Sequence, residues 1–136
     1  MEKLVDNKRV EVAVGLVFNE QGQILIAQRP AHTSHAGFWE FPGGKIEAGE
    51  TAEQGLVREL QEEIGVTPLT YTALKEVPYD YETKKVLLKV FRIESFEGIP
   101  YSAEGQIIRW IEIAELKNYP FPAANKIIMS QLFNES

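Results

Sequence analysis

Residues 43–66 read GGKIEAGETAEQGLVRELQEEIGV, which sets Glu59, Glu62 and Glu63 within five residues and Glu47, Glu50 and Glu53 just before them. From Glu47 to Glu63 the only cation is Arg58. Like charges three or four residues apart destabilise an exposed helix by roughly 0.2–0.5 kcal/mol per pair. A solvated face usually relieves this by interleaving lysines, and this one does not. A hard divalent cation reverses the sign, because Mg²⁺ takes carboxylate oxygens as ligands and leaves positions for phosphate oxygens. The residue types therefore point to metal-assisted chemistry on a phosphate. A solvated acidic face is the alternative that three glutamates alone leave open.

These side chains need a helix to present them. Thr51 opens it: its hydroxyl can cap the first turn, and Gln54 three residues on completes a capping-box pattern. Gly65 stands where such a helix ends. At 100° per residue, Glu59, Glu62 and Glu63 fall within an arc of about 100°, while Leu56, Val57, Leu60 and Ile64 share another arc centred roughly 120° away. One face seeks a core and its neighbour presents carboxylates. Ala52 and Gly55 flank the carboxylates and are small enough to let another backbone approach. Gly55 in mid-helix costs ~1 kcal/mol against Ala, which implies a packing reason.

The helix must in turn rest on something. VEVAVGLVF (10–18) mixes alternation with a continuous apolar run, so it reads as a largely buried strand. A polar turn with Gly22 leads to a second strand, ILIAQ (24–28). Residues 29–39 read as a loop, and WEFPGGKIEAG (39–49), broken by Pro42 and three glycines, as a backbone-shaped loop. YTALKEVPYDY suggests a broken strand, KVLLKVFRI (85–93) a firm one and IIRWIEI (107–113) another. After YPFPAAN a last helix runs to about residue 133, with Ala124, Ile128 and Leu132 in one stripe. Strands arranged both as hairpins and around helices predict a mixed sheet with helices on two sides.

Composition narrows the function classes. Of 136 residues, 44% are hydrophobic and 25% charged, as in globular domains. No apolar run approaches the ~20 residues that cross a bilayer, so no membrane partner is expected. The opening MEKLVDNKRV lacks the apolar core of a secretory signal. The chain has no cysteine, which excludes disulfides and thiolate metal sites, and a reducing cytoplasm is its natural home. A net charge of −6 argues against a sequence-independent grip on DNA or RNA, but not against a single nucleotide whose charge a metal ion and a few basic side chains can meet.

Read from Gly44, the acidic segment is Gly, five residues, Glu50, seven residues, then Arg58-Glu59-Leu60-Gln61-Glu62-Glu63-Ile64-Gly65-Val66. This resembles the box of the Nudix family at each defining position. Nine specified positions would match by chance on the order of once in ten million such chains or fewer. The resemblance implies an α/β Nudix fold, a mixed β-sheet sandwiched between helices (α/β/α), formed by one domain over residues 1–136. It implies hydrolysis of a nucleoside diphosphate linked to another group, assisted by Mg²⁺ (or Mn²⁺ in its place). The implied metal ligands are Glu59, Glu62, Glu63 and the carbonyl of Gly43. Arg58 would pair with Glu50 or Glu62 and hold the carboxylates in place.

The similarity continues beyond the box. Residues 39–68 and the later FPAAN resemble the MutT branch of the family, which removes oxidised guanine nucleotides, over residues 10–132. That resemblance implies an enzyme acting on a small nucleotide, and a monomer is expected. Arg29 would contact phosphates, and Glu40, Phe41, Pro42 and Gly43 would line the nucleoside. Glu104, in SAEGQ, matches a glutamate that faces the metals; Glu59 and Glu104 both remain candidates for the general base. Asn125 would read the base. Guanine offers two acceptors, O6 and N7, on one edge. Oxidation at C8 puts a hydrogen on N7, so the edge becomes acceptor plus donor, and one Asn amide matches it. Capping the last helix is the other role that suits Asn125.

Two departures stand out. Where the family can carry an Arg near the base this chain has Lys84, a point donor without Arg's planar fork. His32 and His35 match no functional histidine and are expected to be solvated. Tyr81, Val86, Val10 and Val12 could furnish apolar walls, and Trp39 and Trp110 are expected to pack.

Overall fold

The computed structural model describes residues 9–133, so the opening residues 1–8, read above for a targeting signal, lie outside it. Seven strands and two helices follow in the order β1 (Val10–Val17), β2 (Ile24–Gln28), β3 (Trp39–Glu40), β4 (Gly43–Lys45), α1 (Ala52–Ile64), β5 (Thr67–Asp80), β6 (Lys85–Glu97), β7 (Ile108–Ile111) and α2 (Ala123–Phe133). A 3₁₀ turn, Ile113–Asn118, precedes α2. Among the described residues no helix is long and apolar enough to cross a membrane.

The strands form two sheets rather than one. A mixed four-stranded sheet runs β4-β1-β6-β5, with β1 and β6 parallel from Val10 opposite Val86 to Val17 opposite Ile93. An antiparallel sheet runs β3-β2-β7. Side chains alternate across β1 and so divide the core. Ala13 and Val17 pack with Leu56, Leu60 and Ile64 of α1, whereas Val14 and Leu16 pack with Ala124, Ile128 and Met129 of α2. The helices thus cover opposite faces of β1, as expected of the fold.

Helix α1 begins and ends where its sequence dictates. Gln54 N–H donates to Thr51 Oγ1 at 3.1 Å and Thr51 N–H to Gln54 Oε1 at 2.9 Å. Gly65 closes the helix at φ 70°. A Cβ on Gly55 would sit 3.1 Å from Ile46 Cγ1 and 3.5 Å from Ile46 Cα, which is the packing reason for a mid-helix glycine.

Three expectations change. Residues 39–49 were expected as loop, yet β3 and β4 lie inside that span. Gly43 and Gly44 pair with Val14 and Ala13 of β1 because they carry no side chain. Gly43 has φ 153°, and a Cβ there would run into the Ala13 carbonyl. The broken strand at YTALKEVPYDY is part of one 14-residue strand, β5. Its breaks became register shifts, at Pro68/Thr70, Thr70/Tyr71 and Ala73/Lys75, and Pro78 is tolerated because β5 is an edge strand. The strand expected over 107–113 is only Ile108–Ile111, since Ile113 already starts the 3₁₀ turn.

Gly43→Ala should cost about 2 kcal/mol or more, combining an unfavourable φ with a backbone collision. Gly22→Ala, with φ 79° but open space around it, should cost only about 1 kcal/mol. Urea unfolding of both variants checks the difference.

Candidate active site

The turn that lets β4 reach β1 also aims a backbone N–H at α1. Gly43 N–H donates to Glu63 Oε1 at 2.9 Å. Glu63 is 5% exposed, the one buried charged side chain among the described residues. Its other carboxylate oxygen has no protein partner among them. Burial pushes the Glu63 carboxyl up to about 8, helped by the charges of Glu40, Glu104 and Glu59 and opposed by the Gly43 hydrogen bond. Glu59 lies over Gly44, where any Cβ would collide with its carboxylate. Burial raises Glu59 too, against the pull of Arg58.

Arg58 is the hub of this cluster. Its Nε and Nη2 hold Glu50 at 2.6 and 2.9 Å, a bidentate pair, and Nη1 reaches Glu59 at 3.0 Å and Glu62 at 3.3 Å. Nη2 also donates to the Lys45 carbonyl at 3.0 Å, tying α1 to β4. The Arg58 hydrogen bonds hold Glu50 down to about 2. The sequence suggested Glu50 or Glu62 as its partner; both are engaged, and Glu59 besides.

Glu104 arrives from a distant loop. The last turn of α1 leaves carbonyls without helical partners, and Tyr101 N–H and Ala103 N–H donate to those of Ile64 and Glu63 at 3.1 and 3.0 Å. These bonds place exposed Glu104 so that its charge acts on Glu40, Glu59 and Glu63.

The donor set suits a hard cation: every side-chain donor is a carboxylate, and Glu63 presents a buried oxygen without a partner. In this conformation the carboxylates do not converge. Among the described residues no three acidic or histidine side chains form a metal-binding group, because Arg58 draws Glu59 and Glu62 aside while Glu63 turns to Gly43.

Beside the cluster opens a cavity of about 330 Å³. It gathers most of the substrate-binding residues expected from the sequence: Arg29, Glu40, Phe41, Gly43, Tyr81, Lys84 and Asn125, with Val10, Val12 and Val86 as walls. Pro42 is the exception. It is buried away from the cavity, and its carbonyl accepts Gly15 N–H at 2.8 Å, a sheet contact that the EFPG run does not announce. Glu40 grips Arg29 at 2.6 Å, and Ser34 accepts from the same guanidinium through its carbonyl at 2.7 Å. Burial raises the Glu40 carboxyl despite Arg29.

Asn125 is the third residue of α2, not its cap. Phe41 N–H donates to its Oδ1 at a long 3.5 Å, and its Nδ2 has no partner among the described residues. His32 is exposed as expected. His35 is exposed but lines the cavity, its ring 5.2 Å from Tyr81, and takes φ 56°. A lone loop histidine gives no periodic signal, so sequence could not place it. Gly44, which makes room for Glu59, was likewise missed as a site residue. Trp39 packs edge-on against Tyr119 at 5.3 Å, and Trp110 against the α1 side of the core.

A NUDIX domain pattern matches residues 13–131. The chain is 40% identical over 125 residues to the 8-oxo-dGTP diphosphatase of Escherichia coli K12, covering 92% of this chain and 97% of that one. It is 35% identical over 118 residues to the CTP pyrophosphohydrolase of the same organism, covering 87% of each. Among solved structures, one from work on MutT of Aliivibrio salmonicida and Vibrio cholerae superposes with a TM-score of 0.81 at 41% identity, covering 93% of this chain and 98% of that one.

The raised Glu63 carboxyl has a stability consequence. Its folded-state value of about 8 lies above the ordinary 4.5, so ionisation inside the fold is unfavourable. The penalty is absent below about pH 4.5 and grows as pH rises towards 8. In metal-free protein Glu63→Gln should therefore gain roughly 1–3 kcal/mol over wild type at pH 8, and the gap should close towards pH 5. Paired melts in EDTA at the two pH values measure it.

Proposed function

The chain belongs to the Nudix family of hydrolases, and from that premise we propose that it hydrolyses 8-oxo-dGTP and related nucleoside triphosphates to the monophosphate and pyrophosphate. Glu59, Glu62, Glu63 and the Gly43 carbonyl would hold a divalent ion, Mg²⁺ or Mn²⁺ in its place. The observation that carries the reading is one continuous cavity. Its lining includes the Asn125 side of α2, the apolar walls, and Gly43 and Gly44, which lie against the Glu63 and Glu59 carboxylates.

The base would lie between the valines of β1 and β6 and the Phe41 side. The Asn125 amide offers one donor and one acceptor, which matches the O6 and N7–H edge of oxidised guanine. Against guanine its oxygen would face a lone pair, a mismatch that can discriminate by orders of magnitude. Arg29 would exchange Glu40 for a substrate phosphate, and exposed Lys84 would add a positive charge at the mouth. A bound divalent ion would neutralise phosphate charge and ease deprotonation of the attacking water. We assign the proton-accepting role to Glu104, which makes no ion pair among the described residues, whereas Glu59 is committed to Arg58. Such an enzyme would act as a cytoplasmic monomer, one domain over residues 1–136, removing oxidised nucleotides before replication incorporates them.

Lys84 and the 35% identity to a CTP pyrophosphohydrolase favour a second reading, in which the substrate is CTP, dCTP or a nucleotide sugar. Pyrophosphate release over a nucleotide panel separates the two. The first reading expects 8-oxo-dGTP to lead by at least about tenfold, and Asn125→Ala to collapse that lead; a preference for CTP or dCTP would overturn it.

Glu62→Gln and Glu63→Gln should each cut turnover by roughly a hundredfold or more. Unchanged turnover in both would remove these carboxylates from the chemistry, and a wild type that binds nucleotide but hydrolyses none of the panel would indicate a binding module instead. Magnesium should also raise the melting temperature of the wild type and leave that of Glu63→Gln nearly unmoved, because the ion binds the folded state alone.

A further inference from the structure

We infer that Tyr81 is a positioning residue for base selectivity, acting by capping the N-terminus of α2 and so fixing the amide of Asn125. This rests on the reading of Asn125 given above and deepens it.

Helix α2 begins without a cap of its own. Its first residue, Ala123, follows Pro122, which has no side-chain oxygen, and the first helical bond runs from Lys126 N–H to the Pro122 carbonyl at 3.1 Å. The amides of the first turn therefore need partners from elsewhere. Ala124 is 1% exposed, so water cannot serve it. Its N–H donates to the Tyr81 hydroxyl at 3.0 Å.

The position of that hydroxyl is decided outside α2. Tyr81 lies just past the end of β5, and its N–H and carbonyl exchange bonds with Lys84 at 2.8 and 3.3 Å across the turn into β6. Its ring packs tilted against Tyr79, with centroids 4.7 Å apart, and edge-on against His35 at 5.2 Å. This bond ties the end of the four-stranded sheet to the first turn of α2, adding a directional polar contact to the packing of Ala124, Ile128 and Met129 in the core.

Asn125 is the next residue along. The only bond that orients its amide among the described residues is the 3.5 Å contact from Phe41 N–H, too long to hold it alone. Its placement is therefore inherited from the helix phase at Ala124. Reading an acceptor-plus-donor edge needs both amide atoms in register, so loosening α2 should relax selectivity before it impairs hydrolysis. The carboxylates rest on α1 and β4, to which Tyr81 makes no hydrogen bond among the described residues.

The test compares Tyr81→Phe with wild type, using 8-oxo-dGTP and dGTP. The ratio of their kcat/KM values should fall about tenfold, through KM for the oxidised nucleotide, from loss of a single buried hydrogen bond. Tyr81→Phe should add little to Asn125→Ala. Placing a serine at the vacant cap position, Pro122→Ser in the Tyr81→Phe background, should restore at least about a third of the lost ratio. Equal losses on both nucleotides, an unchanged ratio, full additivity with Asn125→Ala or no restoration by the serine would each overturn the proposal.

If the wild type shows no preference for 8-oxo-dGTP, the substrate reading falls and the positioning role is decided in free protein. Tyr81→Phe should then speed amide exchange at Ala124 at least about tenfold and shift the Asn125 side-chain NH₂ resonances. Unmoved signals would overturn it.

Discussion

Carboxylates crowded at one end of a sheet must either be neutralised or be held apart, and the rest of this site is organised by that constraint. Arg58 meets most of it alone. One guanidinium engages Glu50 through both its Nε and Nη2, and reaches Glu59 and Glu62 with Nη1. Glu63, facing away from Arg58, receives only a backbone N–H and is left with an ionisation that burial opposes. A protein gains nothing in stability from such a group. Under the proposed function its use would be to present oxygen to a divalent ion.

The geometry that creates this tension depends on two glycines. Gly43 and Gly44 bring β4 against β1 so closely that a methyl group at either position would meet the Ala13 backbone or the Glu59 carboxylate. The same approach turns the Gly43 N–H towards Glu63, so the two glycines both line the cavity and touch the acidic cluster. Strand β1 therefore supports both halves of the site: its Ala13 and Val17 face packs α1 and the carboxylates, while Val10, Val12 and Val14 wall the cavity.

At the cavity's other end the parts come from far apart in the chain. Arg29 and Glu40 clasp one another across the loop that carries Ser34 and His35, and the turn after β5 supplies Tyr81 and Lys84. The start of α2 supplies Asn125, and the Tyr81 hydroxyl joins the last two groups by a single bond. This end joins distant segments by polar contacts above the apolar cluster of Val14, Phe41, Val86, Leu88 and Ala124, whereas the acidic end rests on a capped helix packed on a sheet.

Helix α1 was legible from sequence in detail because what fixes it is local. Thr51, Gln54 and Gly65 act within a few residues, and helical periodicity separates Glu59 and Glu62 from Leu56, Leu60 and Ile64 without reference to any other element. The order of chemical groups along residues 43–66 likewise carried the family resemblance. Gly43–Lys45 could not be read as a strand, because its pairing depends on where β1 lies and not on any β-forming side chain. Nor could Pro42 be told from its cavity-lining neighbours, the grip of Glu40 on Arg29 be foreseen, or His35 be set beside Tyr81. Each of these depends on contacts between residues distant along the chain or on a single backbone angle, and periodicity is blind to both. The sequence by itself determined which groups could do chemistry and the helix that aligns them. Only the tertiary structure decided which of them meet, because burial and long-range hydrogen bonds exist only once separate elements have packed.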